Sequence, residues 1–281
     1  MLTSTKTLLE DARASGYAVG AFNVYNLEGA KAVVSAAESE RSPVILQIHT
    51  AALQYGGRPL IALCLEAAKQ TTVPTSAHLD HSNSSRDIYA AVDAGVFSIM
   101  ADGSELGFDD NVSFTTEMVE KLHKHNGTVE AELGRLAGTE DDLTTPEAFA
   151  SLTDPALAEE FVKRTGVDAL AVCIGNVHGK YPGEPKLDFD RLATIRDAVD
   201  VPLVLHGTSG LPDWMVRRCI ELGVCKFNVN TEVRRAYTDA LRNGVSLEKP
   251  PDLVDLMESA VDGMTSVVAE KLRFFGSTGQ A

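Results

Sequence analysis

A chain of 281 residues, 44% hydrophobic and 23% charged, holds enough apolar material for a large buried core, which excludes an intrinsically disordered protein. Its formal net charge of −15 at pH 7 excludes general binding to nucleic acid or to an anionic membrane surface. No apolar run reaches the ~20 residues that span a bilayer.

The first residues, MLTSTKTLLEDARASG, carry neither a basic leader nor an apolar signal core, so a cytoplasmic protein is expected. A small phosphorylated ligand stays compatible with the acidic charge, because a bound cation or a nest of backbone amides reverses the field locally.

In chain order, apolar runs alternate with helical patterns. YAVGAFNVY reads as a strand and LEGAKAVVSAAESER as a helix, and SPVILQIHT precedes a helix over RPLIALCLEAAKQ. VPTSAHLDH leads into SSRDIYAAVDAG, and FSIMADGS into NVSFTTEMVEKLHKHN. GTVEAELG opens a longer excursion that ends on the helical PALAEEFVKRTG. VDALAVCIG then precedes LDFDRLATIRDAV, VPLVLHGTS precedes PDWMVRRCIELG, and VCKFNVNT runs into EVRRAYTDALRNG.

That makes eight strand–helix units, and near-continuous apolar strands mean both faces are covered. A doubly wound open sheet is the competitor. Eight units favour an α/β fold of one domain, residues 1–281, closed as a (β/α)8 TIM barrel. PPDLVDLMESAVDGMTSVVAEKLRFFG adds an extra C-terminal helix. Cys64, Cys173, Cys219 and Cys225 lie mostly in apolar runs without finger-like spacing and read as buried free thiols.

Chemistry in such a barrel sits at the C-terminal strand ends. The third strand ends with Asp80 and His81, the fourth with Asp102 and the fifth with Glu132; His178 follows the sixth and His206 ends the seventh. One such histidine alone reads as a satisfied loop residue. Three at equivalent strand ends, with carboxylates beside them, read as a metal site with an open position.

His78 shares the alternating face of Asp80 and reads as a support or inward-packed residue. His49 is a pocket residue of open role, and His123 and His125 face solvent at a helix end. HGTSG and NVNT, after the last two strands, suit an anion held by backbone amides and helix N-termini. Gly207, Ser209, Asn228 and Thr231 are the candidates, with ordinary turn and cap residues as the other reading.

AHLDH, VEAELG, IGNVHGKYPGEPKLDFDRL, VLHGTSG, KFNVNTE and KLRFFGSTGQA together resemble the class II, metal-dependent ketose-bisphosphate aldolases, over nearly the whole chain and in family order. The resemblance implies that His81, His178 and His206 bind one catalytic Zn2+. It implies Asp80 as the acid/base at the C4 hydroxyl, and Asp102 and Glu132 near the metal, where they support an alternative metal position.

Glu140, in RLAGTEDDL, matches a mobile-loop glutamate that moves the proton at the enediolate carbon. Gly179, Gly207, Thr208, Ser209, Asn228, Val229, Asn230 and Thr231 match positions that hold the dihydroxyacetone phosphate half. A second divalent or monovalent cation and a homodimer or homotetramer are implied as well.

The implied reaction is reversible cleavage of fructose 1,6-bisphosphate to dihydroxyacetone phosphate and glyceraldehyde 3-phosphate through a zinc-stabilised enediolate. Tagatose 1,6-bisphosphate and 6-phospho-5-dehydro-2-deoxy-gluconate are alternative substrates. Ser82 stands where glycine or another histidine is common, and Thr208 and Asn230 replace smaller residues. His49 stands where many relatives carry a small hydroxyl residue near the substrate carbonyl, which leaves the sugar open. Rival readings are an imine-forming aldolase using Lys226, a metal-dependent hydrolase and a non-catalytic aldolase partner subunit.

Overall fold

Ser4 accepts the Thr7 amide and starts helix α1 (Thr5–Ser15), which Gly16 closes at φ 73°. The structure, a computed structural model, describes residues 1–281 apart from Asp141, Asp142, Lys180 and Pro182, and gives Glu140 and Leu143 as backbone only. The expected units follow α1. They are β1 (Val19–Asn23) and α2 (Leu27–Glu40), β2 (Val44–His49) and α3 (Thr50–Gln70), β3 (Thr75–Ser82) and α4 (Ser85–Asp93), then β4 (Ser98–Ala101) and α5 (Phe108–His123).

After β5 (Thr128–Leu133) come β6 (Ala137–Glu140), β7 (Leu143–Thr145) and α6 (Pro155–Thr165). Next are β8 (Ala169–Val172), β9 (Val177–His178) and α7 (Phe189–Ala198), followed by β10 (Leu203–Leu205) and α8 (Asp213–Glu221). The chain finishes with β11 (Val224–Val229), α9 (Thr231–Val245) and α10 (Leu253–Phe274).

Eight strands close a parallel barrel in the order β1-β2-β3-β4-β5-β8-β10-β11, the last pairing with the first. This is the (β/α)8 barrel the sequence predicts, with α10 as the extra C-terminal helix laid against α2 and α9. Among the described residues no helix is long and apolar enough to cross a membrane. The helix read over RPLIALCLEAAKQ reaches back to Thr50, across a break at Gly57 (φ 56°) two residues before Pro59. All four cysteines are free and buried, and burial pushes the Cys64 thiol up to about 12.

Strand alternation sorts the side chains into two environments. Phe22, Leu46, Ile48, Leu79, Ile99 and Val129 point outward and pack under the helices. Val19, Ala21, Ile45, Met100, Ala169 and Val204 form the inner floor and pack on Leu8, Leu9 and Ala12 of α1. Helix α1 therefore stoppers the N-terminal mouth, and Thr5 hydrogen-bonds Ser76 from beneath.

Above that floor the lumen turns polar: Asn23, Gln47, His78, Asp80, Glu130, Glu132, Lys226 and Asn228 are all buried. Near-continuous apolar strands thus describe the outer faces and the inner floor. The inner faces tolerate charge near the C-terminal end because opposite strands supply the partners.

The excursion after β5 is a small sheet, in which β6 pairs antiparallel with β7 and parallel with β9. Gly138 (φ 105°) makes this possible, since a Cβ there would strike the His178 carbonyl. The sheet carries His178 to the barrel rim.

Among the described residues, three outside glycine adopt positive φ: Arg41, His81 and Asn126. Arg41 (φ 49°) closes α2, its amide donating to Ala37 and Glu38 carbonyls while its side chain is exposed. Glycine occupies such a position without Cβ strain. Arg41→Gly should therefore stabilise the protein by about 0.5–1 kcal/mol, read as a rise of about 1–3 °C in calorimetric melting temperature.

Candidate active site

His81 also has positive φ, 43°, and here the strain serves the site. Simple alternation would send His81 to the face opposite Asp80. The left-handed turn at the end of β3 instead brings the imidazole to the lumen side, where it meets His206 and His178. Ring centroids lie 4.6 Å apart for His81–His206, 5.2 Å for His81–His178 and 6.0 Å for His178–His206. One ligand-capable nitrogen from each of the three lies within 4.8 Å of the others, and His81, Asp102 and Glu132 form a second such group.

Carboxylates fix which nitrogen faces inward. A carboxylate only accepts, so the nitrogen bonded to it carries the proton. His81 Nδ1–H donates to Asp102 Oδ2 at 2.7 Å, which leaves Nε2 as the ligand-capable atom. His206 Nε2–H donates to Glu130 Oε1 at 3.0 Å, which leaves Nδ1. That Nδ1 is buried, makes no hydrogen bond among the described residues and lies 3.6 Å from Glu132 Oε2.

An inward lone pair backed by a carboxylate on the far nitrogen is how proteins prepare histidine for a divalent cation. The residues present therefore fit such an ion.

Protonation follows from burial and partners. Burial lowers the pKa of His206, outweighing its bond to Glu130, so the ring stays neutral and its lone pair available. Burial alone would raise Asp102, but the hydrogen bonds it accepts from His81 and Ser104 hold it well below the usual carboxylate range. Burial likewise opposes ionisation of Glu130, and the charge of Lys226 with the His206 bond overcomes it. His78 is pushed down to about 4 by burial and by Lys226, and its Nδ1 lies 2.7 Å from Ser98 Oγ. It is the inward-packed histidine of the two readings the sequence left open.

Asp80 is held in a continuous lumen network. Asn23 Nδ2 and Asn228 Nδ2 each donate to one of its oxygens at 3.2 Å. Gln47 Nε2 orients Asn23 at 3.2 Å, and Lys226 Nζ orients Asn228 at 2.6 Å. Lys226 Nζ also reaches Glu130 at 2.9 and 3.2 Å.

The fully buried Lys226 is thus a counter-ion for Glu130, and an ion-paired ammonium has no lone pair to form an imine. Sequence reasoning missed Glu130, Asn23 and Gln47. For Glu130 and Gln47 the available signal was the polar alternation inside TVEAEL and VILQIH.

The loops after β10 and β11 are adjacent. Gly207 (φ 63°) packs so closely on the segment before His178 that a Cβ would strike the Val177 carbonyl. Thr208 Oγ1 donates to the Asn228 carbonyl at 2.9 Å, and Tyr25 Oη donates to Asn230 Oδ1 at 2.9 Å. Val229 ends β11, and Thr231 opens α9 directly. HGTSG does not open its helix: Leu211 and Pro212 separate it from Asp213, the first residue of α8. Ser209 lies in that loop, and Gly179 (φ 79°) follows β9.

A cavity of about 300 Å3 lies on the other side of the histidines, lined by His49, His81, Glu132, Arg135 and His178 with the β6–β7 ribbon. Glu140 ends β6 beside it, and its side chain lies outside the described residues.

A parallel barrel whose C-terminal rim gathers three histidines and their carboxylates defines a barrel enzyme with a site fit for a divalent cation. The family model for class-II fructose-bisphosphate aldolase matches residues 3–280, and the chain belongs to that family.

Among solved structures, the YdjI aldolase from Escherichia coli K12 is 36% identical with a TM-score of 0.90, the match covering 100% of both chains. A candidate fructose-1,6-bisphosphate aldolase from Coccidioides immitis is also 36% identical, with a TM-score of 0.93 over 98% of this chain and 97% of that one. Fructose-bisphosphate aldolase from Campylobacter jejuni, 23% identical, shares the fold with a TM-score of 0.81 over 100% of this chain and 97% of its own. The protein is an enzyme of the aldolase type.

The lumen ion pair yields a prediction. Lys226→Met leaves Glu130 buried without its cation and should cost ~3–5 kcal/mol. Adding Glu130→Gln should recover most of that loss in urea denaturation, since the pair rather than either residue is being removed.

Proposed function

We propose that the enzyme reversibly cleaves fructose 1,6-bisphosphate to dihydroxyacetone phosphate and glyceraldehyde 3-phosphate, with Zn2+ bound by His81, His178 and His206. The observation that carries this reading is the juxtaposition of three inward imidazole nitrogens, within 4.8 Å of one another, with a carboxylate, Asp80, gripped by two amides. When bound, the ion supplies Lewis acidity toward the substrate's carbonyl and adjacent hydroxyl oxygens.

The chain's own groups do the rest. Asp80 takes the proton from the C4 hydroxyl during cleavage and returns it during condensation. Its two amide donors fix the direction of that transfer without consuming the proton-accepting capacity of the carboxylate. Gly179, the Gly207–Ser209 loop and Asn228 to Thr231 hold the phosphate of the dihydroxyacetone half, with the amides at the start of α9 facing it. That anchorage places the reacting carbons beside Asp80.

Glu140 moves the proton at the carbon left by cleavage. Asp102 and Glu132 orient the histidines and offer a second cation position. We read the assembly as a homodimer or homotetramer acting in cytoplasmic carbohydrate metabolism. Leu247, Leu253 and Val254, all more than half exposed around the α9–α10 connection, support self-association.

A coupled assay for dihydroxyacetone phosphate release tests the reading, run on fructose and tagatose bisphosphates in parallel. EDTA should abolish cleavage and zinc should restore it. The faster sugar names the C4 configuration, which His49 leaves open. His206→Ala should lose bound metal and on the order of 10³-fold in kcat, the several kcal/mol a Lewis acid contributes. Full activity after EDTA would overturn the assignment.

A further inference from the structure

The histidines of the site divide by which face of the ring carries the proton. His81 and His206 turn N–H groups outward onto Asp102 and Glu130 and lone pairs inward. His49 does the reverse. It is the last residue of β2 and the cap of α3, where its Nδ1 accepts the Ala51 backbone N–H at 3.2 Å.

A backbone amide only donates, so Nδ1 holds a lone pair and the neutral ring carries its proton on Nε2. Protonating both nitrogens would set N–H against N–H at the cap. The ring stands 6.2 Å from that of His81, yet His49 belongs to neither ligand group. It presents a proton donor where its neighbours present electron pairs.

Its placement selects the oxygen it serves. In the β2–β3 pairing His49 is the register partner of Asp80, and with Gln47 it occupies the inward face. It is fully buried and lines the cavity bounded by β2 to β5 and the β6–β7 ribbon. The phosphate-type loops lie across the barrel mouth, after β10 and β11. On the aldolase reading a ketose phosphate anchored there would direct its other half toward this cavity, and the register pairing of His49 with Asp80 would put both beside the hydroxyl oxygen at the scissile bond.

We propose that His49 Nε2–H is a catalytic donor to the substrate oxygen that Asp80 deprotonates. This rests on the aldolase reading above. In cleavage, Asp80 receives the hydroxyl proton. The oxygen's electron pair becomes the second bond of the aldehyde carbonyl, and the C–C pair remains with the dihydroxyacetone phosphate fragment. His49 transfers no proton. It stabilises the negative charge on that oxygen as the bond breaks, and in condensation it polarises the incoming aldehyde.

The test separates the aldehyde side from the rest of the site. Wild type, His49→Phe and His49→Gln are compared for C–C cleavage. They are also compared for exchange of a carbon-bound hydrogen of dihydroxyacetone phosphate with solvent deuterium, a half-reaction with no aldehyde oxygen. His49→Phe should lower kcat for cleavage about 10²–10³-fold while exchange and zinc content persist, and His49→Gln, which keeps a donor, should regain much of the cleavage.

Nitrogen-15 spectra of metal-free protein labelled at histidine should show His49 protonated at Nε2 alone. Unchanged cleavage in His49→Phe, an equal fall of cleavage and exchange, or a proton on Nδ1 would each overturn the proposal. A wild-type protein that neither cleaves nor exchanges would instead overturn the aldolase reading, and the proposal with it.

Discussion

The site depends on one buried ion pair, Lys226 with Glu130, across the barrel lumen. Charges this far from water persist only when paired and hydrogen-bonded on all sides. Here that pairing sets geometry in two directions. Through Glu130 it fixes the ring of His206, and through Asn228 it fixes the carboxylate of Asp80. The group fit to bind a cation and the group fit to move a proton are therefore registered against the same two charges, on β5 and β11. A shift of either strand would disturb both.

The surrounding charge has a direction. Asp80, Asp102, Glu130 and Glu132 converge on a space whose buried cation, among the described residues, is Lys226. A divalent ion would complete this balance, and the chain's overall charge of −15 acts in the same sense. On the proposed reading the substrate phosphate would be received elsewhere, by backbone amides at the β10 and β11 loops, away from the carboxylates. Spatial separation of the two jobs lets an acidic protein handle an anionic sugar.

Much of this was legible in the sequence because it is local. Eight strand–helix units and polar residues at strand ends are patterns within short windows. The inner polar layer was not legible, because Glu130 is sensible only opposite Lys226, 96 positions away. Histidine tautomers were hidden for the same reason: the partners of His81 and His206 stand 21 and 76 positions off. His81 defeats alternation through a single dihedral angle. Helix α1 escaped notice since its apolar face, Leu8, Leu9 and Ala12, has meaning only beneath a closed barrel. The β6–β7–β9 sheet hides behind a glycine whose neighbour is the backbone of His178.

Closure of the barrel by β1 against β11 has a consequence for the order of events on the ribosome. The chain emerges from its N-terminus, so the carboxylate of Glu130 is made long before the ammonium that neutralises it. Until β11 arrives, a half-built barrel holds an acid facing an apolar floor with no counter-charge, and the first strand has an open edge. The nascent protein cannot settle early into a partial version of itself. Completion of the last strand brings the missing edge and the missing charge together, which ties commitment to the native state to the arrival of β11.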